Sequence, residues 1–86
     1  MRVLIAEDDL FIGEDLRHIV SHQGHEVFGP ISDKESFEIL LADNKFEVAL
    51  LDIRMNEVDL GLDFAAALNL RNIPFSFITS FSDKGI

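Results

Sequence analysis

The sequence predicts an α/β domain, a parallel sheet flanked by helices in the order β-α-β-α-β-α-β. Three observations carry that expectation. Phe46-Glu47-Val48-Ala49-Leu50-Leu51-Asp52-Ile53 holds an apolar run without alternation, the pattern of a strand covered on both faces. Val3-Leu4-Ile5-Ala6 is a second such run. Between the apolar runs lie segments of helical periodicity joined by short connections, which favours right-handed strand-helix-strand crossovers.

Arg2 to Ala6 is the first strand. Asp9 can cap the helix that follows, in which Ile12, Leu16, Ile19 and Val20 fall on one face. Gly24 suits the left-handed end of that helix. His25 to Ile31 is the second strand, and Pro30, which lacks a ladder donor, marks it as an edge strand or strand end. Ser32-Asp33-Lys34-Glu35 has a capping-box pattern and opens the second helix, with Phe37, Leu40 and Leu41 inward. Asp43-Asn44-Lys45 turns the chain into the third strand. A polar loop, Arg54 to Leu60, is closed by Gly61. A third helix then carries Phe64, Ala65 and Leu68 on its buried side, and Ala65 to Ala67 allow close packing on the sheet. Asn69 to Asn72 end it. Ile73-Pro74 lead into a fourth strand, Phe75 to Thr79.

The chain has 86 residues, enough for one small domain over 1–86, and no cysteine, so neither disulfides nor thiolate metal sites enter. Nearly half the residues are hydrophobic, which argues against disorder. The apolar runs are of strand length, too short to span a membrane, and the N-terminus lacks a signal-peptide layout. A cytoplasmic location is expected. The net charge of −9, from 16 acids against 7 Lys and Arg, repels nucleic acid and suits a metal cation or a basic protein surface.

Three strand ends then place polar groups on one rim of the sheet: Glu7-Asp8, Asp52 and Thr79. Open α/β sheets bind ligands at the carboxyl ends of their strands. Clustered carboxylates raise one another's pKa, and a hard divalent cation relieves that repulsion. Mg²⁺ is the expected cofactor.

These residues closely resemble the receiver domain of two-component response regulators. The resemblance rests on Val3-Leu4-Ile5-Ala6-Glu7-Asp8-Asp9, on Leu50-Leu51-Asp52-Ile53-Arg54-Met55 and on Phe77-Ile78-Thr79-Ser80, in that order and spacing. It implies a flavodoxin-like fold whose strands here run 2-1-3-4. It further implies a phosphoacceptor rather than an enzyme. Asp52 would take a phosphoryl group from a sensor histidine kinase or phosphotransfer protein. Glu7, Asp8, Asp52 and the backbone carbonyl of Arg54 would hold Mg²⁺, with Asp8 the more direct ligand of the acidic pair. Thr79 would be the switch residue touching the phosphoryl oxygens. Asp9 keeps a minor electrostatic role beside its capping one.

The sequence departs from the family at two places. The loop after Asp52 has Asn56 where many relatives have proline and is longer before Gly61, a difference expected to bear on partner choice more than on chemistry. The family's last helix, strand and helix have no counterpart, so the 86 residues lack its fifth-strand lysine and are expected to label slowly at Asp52. Lys84 reads as a solvated lysine, not a substitute. His18, His22 and His25 flank a helix end and read as surface residues rather than a metal cluster. Phe11 and Phe81 are candidates for exposure to a partner. The alternative function is a receiver-like dimerisation or binding module that is not phosphorylated. A haloacid-dehalogenase-like phosphatase needs a second Asp two residues after the nucleophile, where Arg54 stands. An uncharged, apolar fourth strand with no neighbour beyond it predicts a homodimer through Phe75, Phe77, Ile78 and Phe81.

Overall fold

The computed structural model describes residues 1–56 and 58–78. Its elements are β1 (Arg2–Ala6), α1 (Leu10–His22), β2 (Glu26–Ile31), α2 (Lys34–Ala42), β3 (Val48–Asp52), α3 (Leu60–Leu70) and β4 (Phe75–Ile78). The strands form one sheet in the order β2-β1-β3-β4, and every neighbouring pair is parallel. This is the flavodoxin-like order expected from the sequence. Pro30 lies on β2, an edge strand, where its missing donor costs no ladder bond.

From β1 the chain crosses to β2 on one side, and from β2 it returns past β1 to β3. Right-handed crossovers therefore put α1 on one face of the sheet and α2 and α3 on the other. The core sits on the second face. Leu4, Ala6, Ala49 and Leu51 project there from β1 and β3 and meet Phe37 and Leu41 of α2 and Phe64, Ala65 and Leu68 of α3. The rings of Phe37 and Phe64 stack with centroids 4.0 Å apart, which joins the two helices. On the first face Gly13 of α1 brings that helix against Pro30, since a Cβ there would stand 2.8 Å from the proline ring.

Several local expectations change. Ser32 does not cap α2. Asp33 is the N-cap, and its carboxylate accepts from Ser36 N at 3.0 Å. Asp33 is in the extended conformation a cap requires, whereas the carbonyl of Ser32 is engaged elsewhere. Ile19, expected on the inward stripe of α1, is exposed. Its helix packs mainly on β2, at one end of the described sheet, and Ile12, Leu16 and Val20 of the same stripe are half-buried. Met55, read as part of a polar loop, is fully buried in the core, and its backbone pairs in both directions with Val58 at 3.0 and 3.1 Å. Close packing of α3 comes from Gly61 more than from the alanine run, in which Ala66 is exposed. Asn44 and Asn72, just beyond the ends of α2 and α3, adopt φ of 53° and 57°. They fill the left-handed positions that end those helices, as Gly24 does after α1 at φ 92°.

Candidate metal and phosphoryl site

Alternation along the strands decides which side chains meet at the rim. Leu4 and Ala6 face α2 and α3, so Glu7 follows Val3 and Ile5 to the α1 face. Leu51 faces the core, so Asp52 turns to that same face. Because the chain leaves β1 toward β2 but leaves β3 toward β4, the carboxyl ends of β1 and β3 flank the switch point of the sheet. Glu7, Asp8 and Asp52 each bring a carboxylate oxygen there, all within 4.8 Å of one another. Three expected site residues are thus brought together by the topology.

Their environments differ. Glu7 is 3% exposed and Asp52 6%, while Asp8 is exposed. Glu7 Oε2 accepts from Asp9 N at 3.0 Å, and Oε1 is buried with no hydrogen-bond partner among the described residues. Burial pushes the Glu7 carboxyl up to about 7; the bond from Asp9 opposes that rise and the charge of Asp52 adds to it. Three carboxylates converging within 4.8 Å, with one buried oxygen left without a hydrogen bond among the described residues, form a donor set that could hold a hard divalent cation.

The flanking residues are held by local rules. Asp9 caps α1, its Oδ1 accepting from Phe11 N at 3.0 Å and Ile12 N at 3.1 Å. Capping directs Asp9 to the helix backbone, and among the described residues it is not part of the cluster. Arg54 lies in the loop beyond β3, its guanidinium 3.6 Å from Asp59. Gly61 N donates to Ile53 O at 2.9 Å, closing that loop on β3. Thr79 and Phe81 lie outside the described residues.

Asn56 was read from the sequence as a matter for partners, yet it reaches the site. Its N–H donates to Asp8 Oδ2 at 2.8 Å, and its Nδ2 donates to Ser32 O at 2.8 Å. The available signal was its residue type, since asparagine is enriched in the left-handed conformation.

No family model matches the chain. It is 31% identical over 86 residues to the transcriptional regulatory protein PdtaR of Mycobacterium tuberculosis, covering 99% of this chain and 42% of that one. Among solved structures it is similar to the anti-anti-sigma factor PhyR of Bartonella quintana, in complex with the anti-sigma factor NepR, with a TM-score of 0.80 and 31% identity over 93% of this chain and 33% of that one. It is also similar to the signal receiver domain of a modulated diguanylate cyclase from Desulfovibrio desulfuricans G20, with a TM-score of 0.76 and 33% identity over 93% of this chain and 65% of that one. The chain thus spans less than half the length of the curated relative.

Proposed function

The chain belongs to the receiver-domain family of two-component response regulators, and on that footing we propose that it accepts a phosphoryl group on Asp52. The observation that carries this reading is the meeting of Glu7, Asp8 and Asp52 at the switch point of the sheet. The donor would be a phosphohistidine of a sensor kinase or phosphotransfer protein. A carboxylate oxygen of Asp52 attacks phosphorus, the P–N bond breaks, and its electron pair goes to the imidazole, which takes up a proton. The product is an acyl phosphate on Asp52. The chain's own contribution is positioning: β3 presents Asp52 at the rim, and the bond from Gly61 N to Ile53 O at 2.9 Å anchors the start of α3 to the end of that strand.

Mg²⁺ fits the donor set. Glu7, Asp8, Asp52 and the Arg54 carbonyl would hold it. When bound it offsets the negative charge of the carboxylates and the incoming phosphoryl oxygens. Thr79 would contact those oxygens.

Acetyl phosphate supplies the direct test. Labelling of the 86 residues in Mg²⁺ that is labile to alkali and to hydroxylamine, and lost in Asp52→Asn, is the expected result. The rate also tests whether these residues alone label slowly. No labelling, together with no Mg²⁺ binding, would leave the second reading: a receiver-like module that pairs with protein and is not phosphorylated. That reading draws on two exposed apolar regions. Leu10 and Phe11 stand out from α1 at 75% and 86% exposure, and β4 ends the described sheet with Phe77 exposed. We assign a homodimer contact to Phe75, Phe77 and Ile78 of β4, to which Phe81 was also expected to contribute.

A further inference from the structure

Asn56 joins three loops of the site rim. Its φ of 55° is in the left-handed region, which asparagine tolerates better than most residues. Its N–H and its carboxamide then donate to two different segments. The first reaches Asp8 in the loop between β1 and α1, at 2.8 Å. The second reaches the carbonyl of Ser32, also at 2.8 Å, immediately before Asp33, the cap of α2. The turn is braced on its other side by the paired backbones of Met55 and Val58.

Asp8 is the exposed member of the acidic cluster, and an exposed carboxylate otherwise samples several rotamers. The bond from Asn56 holds one of its oxygens and leaves the other available to the cluster. Mg²⁺ demands near-octahedral geometry, so a ligand already oriented binds it with less ordering cost. We propose that Asn56 is a positioning residue of the acidic site. Through its N–H it fixes the Asp8 carboxylate for a divalent cation, and through its carboxamide it couples occupancy of the site to the start of α2. This inference rests on the reading of Glu7, Asp8 and Asp52 as a cation site.

Two NMR measurements on the 86-residue chain test it. Without metal, Asp8→Ala is expected to speed hydrogen exchange at the Asn56 amide while leaving the amide of Leu51 unchanged. Equal exchange at Asn56 in both proteins overturns the proposal. In MgCl₂ titrations, Asn56→Ala is expected to weaken binding on the order of tenfold, the size usual for residues that orient a metal ligand. Asn56→Gly keeps the left-handed turn and the N–H but loses the tie to Ser32. It should bind with a smaller loss, and its Ser32 amide should no longer respond to Mg²⁺. In an Asp8→Ala background, Asn56→Ala should have little further effect. An undiminished loss in that background would show that Asn56 does not act through Asp8 and would overturn the assignment. A wild-type chain that binds no Mg²⁺ would instead refute the cation reading itself. Wild-type binding with unaltered affinity in Asn56→Ala refutes only the role of Asn56.

Discussion

Glu7 is the residue at which burial and chemistry conflict most. Its carboxyl titrates at about 7, against an ordinary 4.5, because folding removes it from water beside Asp52. Between those values the folded chain holds a proton that the unfolded chain releases. The corresponding stability is fully present below about pH 4.5 and is lost as pH rises through about 7. Glu7→Gln removes that titration. It should leave stability near wild type at pH 5 and raise it at pH 8 by roughly 1–3 kcal/mol. Urea unfolding at the two pH values measures this, and equal differences at both would contradict it. Mg²⁺ bound at the proposed site would act in the opposite sense, because it would take the place of the proton. Its affinity should rise as pH passes through about 7, with proton release visible in calorimetry at pH 6.5 in buffers of different ionisation enthalpy.

At the scale of elements, two junctions hold the site. The first is the entry to α1, where Asp9 satisfies two backbone donors of the first turn. Asp9→Ala should cost about 1 kcal/mol, the usual loss for an N-cap. It should alter Mg²⁺ affinity less than Asp8→Ala does, because Asp9 serves the helix and Asp8 the cluster. The second junction is the entry to α3. A Cβ at Gly61 would overlap the backbone carbonyl of Asp52 and stand 2.7 Å from Ile53 Cα. Backbone on both sides gives it nowhere to go. Gly61→Ala should therefore destabilise the chain by about 3 kcal/mol. It should also weaken Mg²⁺ binding, since relief of the overlap must displace the end of β3. Unfolding curves and a Mg²⁺ titration on the same variant separate the two effects.

At the scale of the whole molecule, apolar surface and net charge oppose each other. Among the described residues β4 ends the sheet, with the sequence Phe-Ser-Phe-Ile and no charge of its own. Such an edge favours pairing with another chain. The net charge of −9 disfavours it through long-range repulsion, which salt screens within about 8 Å at physiological ionic strength. Self-association should therefore strengthen as NaCl is raised. Light scattering over a range of protein concentrations and two salt concentrations reads this out. Phe77→Lys should abolish the proposed self-association, whereas Glu38→Lys, on the exposed side of α2, should not. A monomer at tens of micromolar in both salts would remove β4 as the contact.

Element order and the strand ends were legible because they depend on local patterns. Continuous apolar runs marked β1 and β3, and Phe64, Ala65 and Leu68 marked the buried face of α3. Parallel strands joined by right-handed crossovers then sufficed to bring Glu7, Asp8 and Asp52 to one rim. What the sequence did not disclose depends on atoms far apart in the chain. Met55 is buried because the loop after β3 folds back on itself, and an isolated apolar residue among polar ones carries no period from which to infer that. Gly61 is required because α3 starts against the carbonyl of Asp52, a distance no pattern encodes. Asn56 meets Asp8 across 48 positions of sequence and Ser32 across 24, through hydrogen bonds that exist only once three loops converge. The sequence by itself determined which acidic residues lie at the strand ends, since apolar runs and crossover handedness are local properties of the chain. Only the tertiary structure decided how those residues are held and which of them burial makes harder to ionise, because desolvation and hydrogen bonding depend on every neighbour at once.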